Sequence, residues 1–244
     1  DDPRYEIAEP ILRRTLAAAP DHPELLALYE EVLRSIGDES ALLAFLDRRA
    51  HSQDGAPATA REAAELALKA GDGARAASLM GRTLELARQH TGADEHAIWA
   101  LLSLAARRRD AGDIGEAIAY LRDASALAEP AQTFELGLEL AGLAAAQPDK
   151  LSLAAEIYED LLTQDPANRK VWGPLREVYK QIGDQDRLQQ LVESTLGAID
   201  DVKERNSMRL ELVHNLLTTM ARETEAVRLL KDILAEEPGH KEAE

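Results

Sequence analysis

Residues 112–130 read GDIGEAIAYLRDASALAEP, and their order decides how the rest of the chain is read. A Gly-Asp pair opens the stretch, Ile114, Ala117, Ile118, Leu121, Ala124 and Ala128 recur at spacings of three and four, and Pro130 closes it. Such spacing puts apolar side chains on one stripe of an α-helix. Gly suits the left-handed backbone that ends a preceding helix, and Asp can accept amide protons at the start of the next. Pro cannot continue a helix. The stretch therefore predicts a helix over 114–129 with a tight turn before it.

Working outward, the same order returns. Pro148-Asp149 leads to Ala154 and Pro166, Ala221-Arg222 leads to Ala226 and Pro238, and Ala8 precedes Pro20. In all four cases the small residue stands 12 or 13 positions before its Pro. Gly37-Asp38, Gly71-Asp72 and Gly183-Asp184 mark three more turns, followed by Leu42, Ala76 and Leu188. Turns of this kind recur at intervals of roughly 34 to 41 residues. A unit of two helices repeated at that period predicts a solenoid, in which neighbouring units share a core that none could form alone.

The expected architecture is all-α, with about 13 helices in a single array over 1–244. A lone helix covers 5–19. Helix pairs follow at 23–36 with 39–52, 57–70 with 73–90, and 95–111 with 114–129. Three more occupy 131–147 with 150–164, 168–182 with 185–198, and 203–221 with 223–236. In repeat terms these are approximately 23–54, 57–90, 94–129, 131–166, 168–199 and 203–238. The 41-residue interval from Gly71 to Gly112 predicts longer helices with a loop at Thr91-Gly92. Gly173-Pro174 falls inside a helical stretch, where the missing backbone donor should bend or loosen the first turns.

These residues resemble the tetratricopeptide repeat (TPR) family. Trp172, Leu175, Tyr179, Gly183 and Asp184 match the spacing of that motif in a first helix. Ala117-Leu121-Ala124, Ala154-Tyr158-Pro166 and Ala226-Leu230-Pro238 carry the second-helix signature, and 73–129 is similar to the 42-residue variant of the family. Most first helices lack the aromatic pair, Arg49 and Thr83 replace a small residue, and Ala221-Arg222 replaces Gly-Asp. The resemblance implies a right-handed α-solenoid whose first helices line a concave peptide-binding groove. Residues 5–19 read as a second helix without its partner, and Gly239-His240-Lys241-Glu242 reads as the opening of another unit. The expectation is an internal piece of a longer bacterial array, able to self-associate through uncapped ends.

Composition narrows the role. A net charge of −17 and a pI near 4.8 disfavour a nucleic-acid surface and favour basic partners. With no Cys, thiolate metal sites and Cys nucleophiles are excluded. No apolar run of about 18 residues predicts a membrane span. The cytoplasm is the expected compartment, with the periplasm or cell envelope left open.

Catalytic motifs are absent: there is no P-loop, HExxH or GxSxG. No catalytic residue, cofactor or metal is expected. His90, Asp94, Glu95 and His96 cluster, yet they read as a solvated polar loop rather than converging ligands. Arg107-Arg108-Arg109 ends a first helix, where cations suit the dipole, and successive residues point about 100° apart.

The expected function is a non-catalytic scaffold that binds a protein or peptide. The alternative is a regulatory receptor module whose superhelix closes on a small peptide. Carried over from the family, the groove includes Trp99, Leu102 and Arg109, then Leu136, Glu139 and Leu143, then Lys170, Glu177 and Lys180. Glu24, Ala27, Glu31, Arg34, Arg61, Glu65 and Leu68 precede them, and Met208, Glu211, Asn215 and Thr218 follow. Trp99, Leu102, Leu136 and Leu143 would form an apolar anchor strip. Trp99 could instead pack within the long helices. Trp172 lies eleven residues before its Gly, against thirteen for Trp99, and should be core.

Overall fold

Capping chemistry sets where the helices of this chain start and stop. The computed structural model describes residues 3–166, 168–218 and 222–243. Asp38, Asp72 and Asp184 each accept an amide hydrogen bond three residues on, from Ala41, Arg75 and Arg187 at 2.9, 3.0 and 3.0 Å. Asp201 does the same for Glu204, and Asn168 accepts from Lys170 two residues on. Before these caps, Gly37 and Gly183 take φ of 76° and 83° and return their amides to Leu33 and Tyr179. Only Gly adopts that backbone without a Cβ penalty. Asp113 departs from the pattern: it makes no side-chain cap and instead accepts from Arg108 at 3.3 Å.

The result is all-α, with thirteen α-helices and no strand among the described residues. In order they are α1 (Pro3–Ala18), α2 (Pro23–Ile36), α3 (Glu39–Ala50), α4 (Pro57–Lys69), α5 (Gly73–Gln89), α6 (Asp94–Asp110) and α7 (Ile114–Leu127). There follow α8 (Pro130–Ala145), α9 (Leu151–Gln164), α10 (Arg169–Ile182), α11 (Gln185–Thr195), α12 (Val202–Thr218) and α13 (Glu223–Glu236). A 3-10 turn at Pro148–Lys150 precedes α9, and another at Leu196–Ala198 extends α11. The enlarged interval is taken up by α5 and α6, each 17 residues, with Gly92 in the connection. Helix α10 runs unbroken through Pro174, sixth from its start, so the lost donor falls near an exposed helix end. Ala221, half of the last expected turn, lies outside the described residues.

The chain divides into two compact units, Asp1–Ala128 and Glu129–Glu244. In the first, each helix packs on the next, α3 also meets α5, and α4 also meets α6. The second repeats this arrangement from α8 to α13, with α8 meeting α10. Contacts confined to near neighbours are the mark of stacked hairpins.

Alanine makes close stacking feasible. Ala60, Ala63, Ala64 and Ala67 of α4 are wholly buried against larger residues such as Leu79 and Met80 of α5. Tyr29 and Phe45 add an edge-to-face contact at 5.2 Å between α2 and α3. In the second unit α10 buries Val171, Trp172, Leu175, Val178 and Tyr179 on one stripe, so Trp172 is core as expected. The outward side of α1 is different: Ile7 and Ile11 are 66% and 61% exposed.

Candidate partner-binding face

In the first unit the first helices of successive pairs are α2, α4 and α6. Their inner stripes are buried, which turns Glu24, Ala27, Glu31 and Arg34 of α2 to solvent, with Glu65 and Leu68 of α4. Charged groups tie these helices together. Arg34 pairs with Glu30 on its own helix at 2.8 Å and with Glu62 of α4 at 2.5 Å. Hydrogen bonds donated to Glu62 and then to Glu30 push the Arg34 guanidinium further above its already high ordinary range. Arg61 repeats the arrangement one unit on, reaching Glu65 at 3.0 Å and Glu95 of α6 at 3.3 Å.

Trp99 stands beside this second bridge. It is partly buried against the core of the first unit, and the Arg61 guanidinium lies 5.1 Å from its ring centroid. Leu102 and Ala106 are half-buried on the same helix, and Arg109 is exposed. An open depression of about 480 Å³ lies beside α2, lined by Ala27, Glu30, Glu31, Arg34 and Ser35 with Arg49 of α3. Arg49 donates to Glu30 at 2.6 Å. Carrying over first helices alone missed this second-helix contribution.

The second unit carries its own face on α10 and α12. Glu177 accepts from Arg176 and Lys180 at 3.2 and 3.1 Å, and Lys180 also pairs with Glu211 of α12. Burial alone would raise the Glu177 carboxyl, but its bonds to Lys180 and Arg176 outweigh that and hold it below the usual carboxylate range. Arg169 reaches Glu204 at 2.6 Å, and Arg176 reaches Glu211 at 3.6 Å. Lys170 and Glu139 are exposed and Leu143 is half-buried.

Two residues assigned to the groove are elsewhere. Leu136 is 9% exposed and Met208 only 4%, so both side chains belong to the interior of the second unit. Leu136 follows Pro130, which starts α8 at its first position; the register so set turns Leu136 inward with Leu140, Ala141 and Ala144.

The remaining polar clusters hold helices together. His90 places Nδ1 2.7 Å from the Leu86 carbonyl, and no group of three His, Asp or Glu is placed to hold a metal among the described residues. Arg108 turns to Asp113 and Glu116, while the Arg107 guanidinium lies over Gly73, so the arginine run diverges. No helix among the described residues is long and apolar enough to cross a membrane.

Between first helices the cation precedes the carboxylate in the chain: Arg34–Glu62, Arg61–Glu95, Arg169–Glu204 and Arg176–Glu211. Between second helices the order is mostly reversed among the described residues, as in Asp47–Arg75, Glu159–Arg187, Asp186–Arg222 and Glu193–Arg228, while Arg88–Asp123 keeps the first order. Several pairs stand 34 or 35 residues apart, a recurrence present in the sequence but hidden among many surface charges.

Stacked antiparallel hairpins and two ion-bridged first-helix faces define an all-α helical-repeat protein. Solved structures similar to it include the C-terminal part of a TPR repeat-containing protein from Cytophaga hutchinsonii, 13% identical with a TM-score of 0.49, covering 98% of this chain and 93% of that one. The MamA protein is 18% identical with a TM-score of 0.45, over 74% and 91% of the two chains. YrrB, described as a TPR protein with an unusual peptide-binding site, is 14% identical with a TM-score of 0.44, over 78% and 93%. No family model and no curated protein matches the chain.

Proposed function

We propose that this chain is a non-catalytic scaffold that binds a peptide or protein segment on the exposed faces of its first helices. The observation that supports this most is the state of those faces. Residues that stacking does not need, among them Glu31, Glu65, Leu68, Leu102, Lys170 and Glu177, stay exposed or half-buried on helices whose opposite stripes are fully packed. Repeated helices present such residues at regular intervals, which suits an extended ligand better than a compact one. Charge on either side of an apolar patch supplies orientation, and Trp99 supplies the side-chain type enriched where binding energy concentrates.

A displayed library of random peptides, selected against the intact chain, tests the reading. Leu68→Glu and Leu102→Glu, both in the first unit, should each weaken selected peptides tenfold or more with helicity by circular dichroism unchanged. Val227→Glu, on second helix α13 where Val227 is 47% exposed, should leave affinity unaltered. Binding that is lost in the Val227 variant and kept in the other two would reject the assignment, as would a library that yields no binder.

A further inference from the structure

We infer that the indole of Trp99 is a cation site which Arg61 fills in the free chain, and that the matching partner is a segment bearing an Arg or Lys able to take its place. This rests on the first-helix face being the binding surface. One side of Trp99 packs on the core, while Arg61 lies 5.1 Å from the centroid of the ring. The same guanidinium is held by Glu65 at 3.0 Å and Glu95 at 3.3 Å. An aromatic face between carboxylates is chemistry that selects a cation, because the ring quadrupole and both charges favour the same occupant.

Arg61 is a weakly held occupant. Glu65 is 49% exposed and Glu95 87%, so water and salt compete for both bridges. Arg61 sits on α4 whereas Trp99 and Glu95 sit on α6, so its withdrawal uncovers the indole without disturbing the helix that carries it. The incoming cation gains the same ring and the Glu95 carboxylate, and the charge of −17 attracts it from a distance. Arg61 thereby acts as an internal competitor: a neutral segment gains nothing by displacing it, and a basic one does.

The probes are an acetylated, amidated hexapeptide of alternating Arg and Gly and its citrulline counterpart, which keeps the shape and loses the charge. Binding is followed at physiological salt by the two indole N–H signals in NMR, Trp172 serving as the buried reference at 5% exposure. The Arg peptide should shift the Trp99 signal, and Arg61→Ala should bind it about five- to tenfold more tightly than the natural chain, as expected when an internal cation–π competitor is removed. The citrulline peptide should bind neither protein. Arg88→Ala, on α5, removes one positive charge away from this face and should change affinity less than twofold. Trp99→Leu, which keeps apolar packing and is followed by backbone amide signals because it lacks the reporting indole, should abolish the gain given by Arg61→Ala. Equal gains in the Arg61 and Arg88 variants would reduce the effect to net charge and overturn the inference. So would tightened binding that survives Trp99→Leu in the Arg61→Ala background, or no binding to Arg61→Ala at millimolar peptide. If such binding is still lost in Leu102→Glu, the cation site falls while the first-helix face stands.

Discussion

The hydroxyl of Tyr29 donates to Glu9 across 2.9 Å, from α2 to the helix before it. Tyr179 repeats the contact with Glu159 at 2.5 Å, and both pairs are separated by 20 residues in the chain. A first-helix tyrosine thus reaches back to the preceding second helix in each unit. Burial, then the hydrogen bond and charge of Glu9, push the Tyr29 phenol from 10.0 up to about 12; Tyr179 is raised by the same causes.

Tyr29→Phe is expected to cost about 1.5–3 kcal/mol near neutral pH, the worth of a hydrogen bond to a charged acceptor. A raised phenol holds its proton more tightly in the folded chain. Its contribution is therefore complete below pH 10.0 and lost as pH rises towards about 12. The gap in urea stability between the natural chain and the variant should narrow across that interval. A gap unchanged at pH 12 would contradict it.

Glu236 predicts the opposite limb. Hydrogen bonds from Arg209 and then Arg205 hold its carboxyl at about 2, against an ordinary 4.5. A depressed carboxyl stabilises the fold above the ordinary value and loses that contribution as pH falls through the folded one. Acid unfolding of the natural chain should steepen between pH 4.5 and about 2, and Glu236→Gln should flatten this limb. Carboxyl NMR titration of Glu236 checks the assignment directly.

Gly55 has no room for a side chain. A Cβ there would stand 2.5 Å from the Ala50 carbonyl oxygen, a backbone atom that also accepts from Arg82 at 2.9 Å. Gly55→Ala should destabilise the chain by about 1–3 kcal/mol, read as a lowered Tm.

Leu136→Ala should act through stability. Because Leu136 is 9% exposed, truncation leaves a cavity and costs about 2–5 kcal/mol. Denaturant melts should show the loss without any partner. A variant of unchanged stability would return Leu136 to the surface.

Much of this was legible in the residues. The Gly-Asp turns at 37, 71 and 183 are local events, and so are the helices between them. The candidate face was read less completely. The first-helix stripe at Glu24, Ala27, Glu31 and Arg34 is exposed throughout, yet the same carry-over misplaced Leu136 and Met208. One residue of register rotates a side chain by about 100°, enough to move it from surface to core. Arg49 was missed because it enters the depression from a second helix.

What the sequence determined by itself is the succession of helices and turns, since caps, left-handed glycines and apolar periodicity act over only a few residues. The tertiary structure decided which face each helix buries, and so which charges meet. Arg61 reaches Trp99 only because α4 and α6 pack together, which brings side chains 38 positions apart to 5.1 Å. Such contacts depend on how whole helices lie against one another, and local spacing carries no record of that.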